Sequence, residues 1–240
     1  MSEQPTKEIL LVEDDLELSA LVREFLESRG GYSVTPVHRG DEAASMILSD
    51  NPDLVILDIM LPQLDGLEVC RRIRKKGYVG PVLMLTALGD EVDEIVGLEV
   101  GADDYMAKPV TPRLLLARVQ AMLRRDRRTA SVDSGQASGG PLDLGDLLVE
   151  PASRTVILAD DELRLTTSEF DLLLYLGERA GQVVSREDLY YVLRGIEWDG
   201  LDRSVDQRIR RLREKLGDDA NNPKRIKSVR GAGYLLVVHR

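Results

Sequence analysis

Residues 52–66 read PDLVILDIMLPQLDG. Leu54, Val55, Ile56 and Leu57 form an unbroken apolar run, the pattern of a strand buried on both faces. The run stops at Asp58, and helical spacing takes over from Gly66 to Lys75. The same strand-then-helix alternation extends outward in both directions. Strands are expected at Ile9–Val12, Tyr32–Val37, Pro81–Leu85 and Tyr105–Ala107. Helices are expected at Leu16–Glu27, Asp41–Leu48, Val92–Val100 and Pro112–Arg124. Five such units predict an α/β domain over residues 1–125, a doubly wound five-stranded parallel sheet.

In such a sheet, ligands bind beyond the carboxyl ends of the strands. Those ends carry Glu13-Asp14-Asp15, Asp58, Thr86 and Lys108-Pro109. Carboxylates gathered at one rim repel unless a cation joins them. Oxygen-only ligands favour Mg²⁺, which accepts phosphate oxygens. A carboxylate beside that ion is a nucleophile toward phosphorus. Lys108 is suited to balance the charge of a transferred phosphoryl group, and Thr86 to donate a hydrogen bond to it. An Asp at a strand end is also commonly a helix N-cap, the alternative reading for Asp15.

The segment 126–140, DRRTASVDSGQASGG, has one large aliphatic residue and reads as a flexible linker. Beyond it, residues 141–240 change pattern. Short strands are expected at Leu142–Glu150, Arg154–Leu158 and Glu162–Leu165. Helices follow at Ser168–Arg179, Arg186–Leu193 and Arg203–Leu216, then a hairpin of Ile226–Val229 and Tyr234–Val238 around Gly231-Ala232-Gly233. This is an α+β order.

The net charge is −10, yet residues 203–240 hold 11 Lys and Arg against 4 Asp and Glu. A basic end on an acidic body points to a localised polyanion site. In Arg203–Leu216, Val205, Ile209, Leu212 and Leu216 make one apolar stripe. At ~100° per residue, Arg203, Gln207, Arg210, Arg211 and Glu214 oppose it, with Arg208 and Arg213 on the flanks. Arg reads guanine and Gln reads adenine, whereas flanking Arg suits phosphate. A basic helix beside a tight hairpin predicts a winged helix-turn-helix for double-stranded DNA. One cysteine, Cys70, excludes an internal disulfide and a multi-cysteine zinc site, and its place on an apolar helical stripe suits a small core residue. No apolar run is long enough to span a bilayer and no secretory signal is visible, which points to a cytoplasmic protein without membrane partners.

Residues 7–124 resemble a response-regulator receiver domain, through LLVEDD (10–15), PDLVILDIMLPQLDG (52–66), VLMLTA (82–87) and GADDYMAKP (101–109). The resemblance implies a flavodoxin-like fold in which Asp58 accepts phosphate from a partner histidine kinase. It implies Mg²⁺ held by Asp14, Asp58 and the backbone carbonyl of Met60, with Glu13 acting through water. It implies that Thr86 and Tyr105 reorient on phosphorylation, and that Lys108-Pro109 is cis. Met60 and Leu88 follow Asp58 and Thr86 by two residues. Neither side chain can orient a water, so self-dephosphorylation is expected to be slow.

Residues 142–238 resemble the effector domain of OmpR/PhoB-type two-component response regulators, through LTTSEFDLLLYL (165–176), GQVVSREDLY (181–190), RSVDQRIRRLREKLG (203–217) and IKSVRGAGYLL (226–236). GLDRSVD (200–206) and LLARV (115–119) point to an RstA-like branch. The resemblance implies base contacts by Arg211 and Arg230, and phosphate contacts by Arg203, Arg208, Arg210 and Arg213. It implies RNA polymerase as a partner of the loop Arg194–Asp202, which carries Trp198. It also implies a phosphorylation-promoted homodimer through Val92–Val100, the next strand and Pro112–Arg124. Glu99, Asp103, Asp104, Arg113 and Arg118 are available for its charge pairs, although Glu94 and Leu114 stand where the family has a basic–acidic pair. Two other readings compete. An aspartyl-phosphate phosphatase needs an acid where Met60 stands, and a DNA-binding protein with a vestigial receiver would not need the intact acidic set.

Overall fold

The computed structural model describes residues 6–86, 100–124, 140–195 and 204–238. The chain divides into two compact units, Met1–Leu123 and Arg124–Arg240. Of the expected linker only Gly140 lies within the described residues, and the helix expected at Val92–Val100 falls outside them except for Val100.

In the first unit the strands are β1 (Glu8–Val12), β2 (Ser33–Val37), β3 (Leu54–Asp58), β4 (Val82–Thr86) and β5 (Asp104–Ala107). They form one parallel sheet in the order β2-β1-β3-β4-β5. This is the expected flavodoxin-like order. The helices are α1 (Leu16–Gly30), α2 (Gly40–Asp50), α3 (Gly66–Lys75) and α4 (Pro112–Arg124). Side chains of successive strand residues point to opposite faces, and the core divides accordingly. Leu10, Val12, Val55 and Leu57 pack with Ala43, Ile47, Val69, Cys70 and Ile73 from α2 and α3. Ile9, Leu11, Leu54 and Ile56 pack with Val22, Leu26, Leu115 and Val119 from α1 and α4. Truncating a buried Leu or Ile of either set to Ala costs about 2–5 kcal/mol.

Helix starts fix the rim loops. The Asp15 side chain caps α1, accepting from Glu17 N and Leu18 N, so it serves the helix. Asp65 caps α3 through Glu68 N at 2.7 Å. Gly66 lies so close to β3 that a Cβ would sit 2.0 Å from the Asp58 carbonyl oxygen, which only glycine avoids.

The second unit begins with an antiparallel sheet, β6 (Leu142–Asp143), β7 (Leu147–Glu150), β8 (Thr155–Leu158) and β9 (Asp161–Glu162). The expected strand Leu142–Glu150 is two strands. Gly145 adopts φ 90° between them, and the Asp143 side chain accepts from its N–H. The strand expected at Glu162–Leu165 shrinks to β9. Three helices follow, α5 (Thr167–Gly177), α6 (Arg186–Arg194) and α7 (Ser204–Lys215), and around them lie β10 (Val183–Val184), β11 (Ile226–Val229) and β12 (Gly233–Leu236). The last three form a sheet in the order β10-β12-β11. β10 carries no sequence signal because two residues cannot show alternation. Gly233 has φ 142°, and a Cβ there would lie 1.9 Å from Val184 O. One core unites Phe170, Leu173, Leu189, Ile209, Leu212 and Tyr234. No described helix is long and apolar enough to cross a membrane.

Candidate functional site

The first site lies beyond the carboxyl ends of β1, β3, β4 and β5. Backbone bonds fix the rim. Glu13 N donates to Val37 O at 3.0 Å, Ile59 N to Leu85 O at 3.1 Å, and Lys108 N to Thr86 O at 2.7 Å. The Lys108-Pro109 peptide is cis. At this rim Lys108 Nζ donates to Asp58 Oδ2 at 2.8 Å and to Glu13 Oε1 at 2.9 Å. Asp58 Oδ1 accepts from Met60 N at 3.2 Å. Glu13, Asp14 and Asp58 each bring an oxygen within 4.8 Å of the others.

Glu13, Asp58 and Thr86 are buried, whereas Asp14 is exposed. Burial pushes the Glu13 carboxyl above its ordinary 4.5. The hydrogen bond from Lys108 opposes that rise, and the charge on Asp58 adds to it. Burial alone would lower Lys108. Its hydrogen bonds to Asp58 and Glu13 outweigh that, and its pKa stands above 10.5. One ammonium therefore serves two buried carboxylates. Glu13 Oε2 is buried and accepts no hydrogen bond, although Lys108 Nζ is 2.8 Å away. Three carboxylates gathered around a single ammonium make an oxygen donor set that a hard divalent cation would suit.

Tyr105 pairs in register with Met84 and packs, half-buried, against the core on the α2/α3 face. The Met60 side chain is 70% exposed. Leu88 lies outside the described residues.

The expected dimer residues divide. Asp103 is buried and accepts from Arg74 Nη2 at 2.6 Å and Val82 N at 2.9 Å. Arg74 also donates to Gly101 O, Tyr78 O and Gly80 O. Asp103 is therefore an internal staple rather than the surface charge it was expected to be. Asp104 is buried too and pairs with Arg118 at 2.8 Å within the same unit. Arg113 is exposed, and Glu99 and Glu94 lie outside the described residues.

The second site is α7 with the β11–β12 hairpin. The sequence placed Arg208 and Arg213 on the flanks, ready for phosphate. Both positions are corrected by burial, at 2% and 8% exposed. Arg213 donates to Ile226 O at 2.9 Å and 2.5 Å and to Ser228 Oγ at 2.9 Å, so its guanidinium ties α7 to β11. Arg211, expected opposite the apolar stripe, is half-buried and pairs with Glu169 at 3.1 Å. Arg210 is exposed and pairs with Glu214 at 3.2 Å, Gln207 is half-buried, and Arg230 is exposed on the hairpin. Arg203 lies outside the described residues, as do Trp198 and most of its loop.

Three contributors were not anticipated. Glu169, 1% exposed, takes Lys215 at 2.5 Å as well as Arg211, and completes a capping box with Thr166. The Thr166-x-x-Glu169 spacing carries that signal. Arg186 and Tyr234 both bond Asp206. Burial and the Asp206 hydrogen bond push the Tyr234 hydroxyl up to about 12, so it remains a donor at neutral pH.

Comparisons with known proteins agree with this two-unit fold. A family described as response regulator receiver domain matches residues 9–120, and one described as transcriptional regulatory protein, C terminal, matches residues 160–236. Over 235 residues the chain is 44% identical to the transcriptional regulatory protein RstA of Escherichia coli (strain K12), spanning 96% of this chain and 98% of RstA. A solved cysteine-to-aspartate mutant of RitR matches with a TM-score of 0.74 at 26% identity, covering 97% of this chain and 100% of that one. The Thermotoga maritima response regulator DrrB, an OmpR/PhoB homologue, matches with a TM-score of 0.50 at 34% identity, covering 97% and 99%. A receiver fold with an acidic rim, joined in one chain to a winged-helix unit, together with these likenesses, means that the chain belongs to the OmpR/PhoB family of two-component response regulators, transcription regulators of RstA type.

Proposed function

We propose that Asp58 is the phosphoacceptor of this regulator and that a partner histidine kinase supplies the phosphoryl group. The observation that carries this reading is the Lys108 ammonium, bonded to both Asp58 and Glu13 at the strand-end rim. In the transfer, an Asp58 oxygen forms a bond to phosphorus while the phosphorus–nitrogen bond of the kinase phosphohistidine breaks, leaving its electron pair on the imidazole. Lys108 balances the charge on the arriving oxygens, and Thr86 donates to one of them. Mg²⁺ is the cation the donors suit. Asp14, Asp58 and the Met60 carbonyl would hold it, with Glu13 through water, and it would supply charge neutralisation at the phosphoryl oxygens. Thr86 and Tyr105 then reorient to report the new charge.

The homodimer proposed to follow uses the surface around β5 and α4, with Arg113 and Arg118 as its charged candidates and Asp104 shared with Arg118. Residues 126–140 tether residues 1–125 to a DNA-binding domain over 141–240. Double-stranded DNA is proposed to meet Arg203, Gln207, Arg210 and Arg211 on or beside α7, and Arg230 on the hairpin. RNA polymerase is the proposed partner of the loop 194–202, and the cytoplasm the proposed compartment. Beyond its own phosphoryl transfer the protein is read as no enzyme. The apolar Met60, with Leu88, is proposed to make self-dephosphorylation slow.

Labelling the full chain with acetyl phosphate and Mg²⁺, read by intact mass, tests this. One phosphoryl group per chain is expected, absent in Asp58→Asn, with a lifetime shortened in Met60→Asn/Leu88→Glu. Multiple turnover would favour a phosphatase, and no labelling would favour a vestigial receiver.

A further inference from the structure

An acidic residue is out of place on a helix read as entering a DNA groove, because phosphates repel it. Asp206 stands in the first turn of α7. Its Oδ1 accepts from the Tyr234 hydroxyl on β12, and from Arg186 Nε at 3.0 Å at the start of α6. Arg186 Nη2 reaches the same hydroxyl at 3.4 Å. Two turns along α7, Arg213 donates to Ile226 O and Ser228 Oγ on β11. Between these two ties lies the Tyr234 ring, itself buried. The Arg186 guanidinium stands 4.9 Å from its centroid and that of Arg213 5.9 Å, both within cation–π range. Helix and hairpin are therefore joined at both ends of one face by charged bonds that the apolar core does not require. The Arg213 bonds to Ile226 O are buried and the Asp206 bonds are partly exposed, and charged bonds that must be satisfied inside the fold favour one arrangement of helix and hairpin.

We infer that Asp206 and Arg213, through Tyr234, are positioning residues that lock α7 to the β11–β12 hairpin, so that both engage DNA as one body. The binding contribution of Arg230 on the hairpin then depends on the tie at Asp206. The inference rests on reading α7 and the hairpin as the DNA interface.

The test is a double-mutant cycle in the full-length, acetyl-phosphate-treated protein. The probe is a labelled duplex selected by that protein from a random pool, with binding followed by anisotropy. Arg230→Ala is expected to weaken binding about tenfold in the unsubstituted background. With Asp206→Asn present, the same substitution is expected to weaken it about twofold or less, because coupled contacts are not additive. Tyr234→Phe removes only the hydroxyl, keeps the packed ring, and should reproduce the loss of coupling if Asp206→Asn fails to fold. A tenfold loss from Arg230→Ala in every background would overturn the lock and leave the DNA interface standing. No loss from Arg230→Ala in any background, or failure to select a duplex, would overturn the interface and the lock with it.

Discussion

Glu13 and Asp218 are both buried carboxylates, one in each unit, and their titrations move in opposite directions. Burial would raise both. Asp218 is met by the backbone N–H groups of Lys224, Arg225 and Ile226 at 2.6, 3.1 and 2.9 Å, which outweigh burial and hold it below 3.8. Glu13 has the Lys108 ammonium, which it shares with Asp58, and it stays above 4.5. The difference separates a carboxylate that the fold completes from one that the fold leaves incomplete. Asp218 holds the approach to β11 in place. Glu13 belongs to a rim where one ammonium faces three carboxylates.

Three substitutions bear on that contrast. Lys108→Gln removes the only ammonium bonded to Asp58 among the described residues, and acetyl phosphate labelling should slow by about 100-fold, the loss typical of one electrostatic stabiliser. A rate within a factor of a few of the unsubstituted protein would mean that the rim does not need its cation. Next, Asp218→Asn leaves three N–H groups without a carboxylate, and hydrogen exchange at Ile226–Val229 should report a loss of roughly 1.5–3 kcal/mol. Because the folded pKa of Asp218 is depressed, its contribution is present above about pH 4 and is lost as pH falls through the folded value. The variant should therefore flatten the acid limb of the β11 exchange profile, and an unchanged limb would break the comparison. Smallest is Glu13→Gln. Its raised pKa means that the folded state disfavours the charged form, so without Mg²⁺ the variant should gain on the order of 1 kcal/mol or less in urea unfolding, against the usual direction. Millimolar Mg²⁺ should stabilise the unsubstituted protein more than the variant. A loss of stability in the metal-free Gln variant would show Glu13 to be as complete as Asp218.

The sequence made the receiver half and its rim legible because they depend on backbone pattern. Leu54–Leu57 is apolar throughout because both faces are covered, and Asp58 stands out where that run stops. The flank arginines were not legible in the same way. Helical spacing gives an angle around α7, but not what packs there, and β11 approaches the Arg213 side closely enough to bury it. Asp103 and Asp104 illustrate the same limit. Adjacent acids before a strand look like surface charge, and only the fold brings Arg74, 29 residues earlier, to Asp103. Nor does the sequence show the role of Asp206, because its partners Arg186 and Tyr234 come from distant segments.

The two glycines of the hairpin tip set different limits on how this protein can vary. Gly231 has φ 72° with nothing within 4 Å of the point where a Cβ would stand, so its constraint is torsional, and Asn or Asp can replace it at small cost. Gly233 has no such latitude, because the carbonyl of Val184 already occupies the space a methyl group would need. Substitutions can therefore be accepted at Gly231 while Gly233 has to stay glycine. The hairpin is a part with a replaceable edge and a fixed mount.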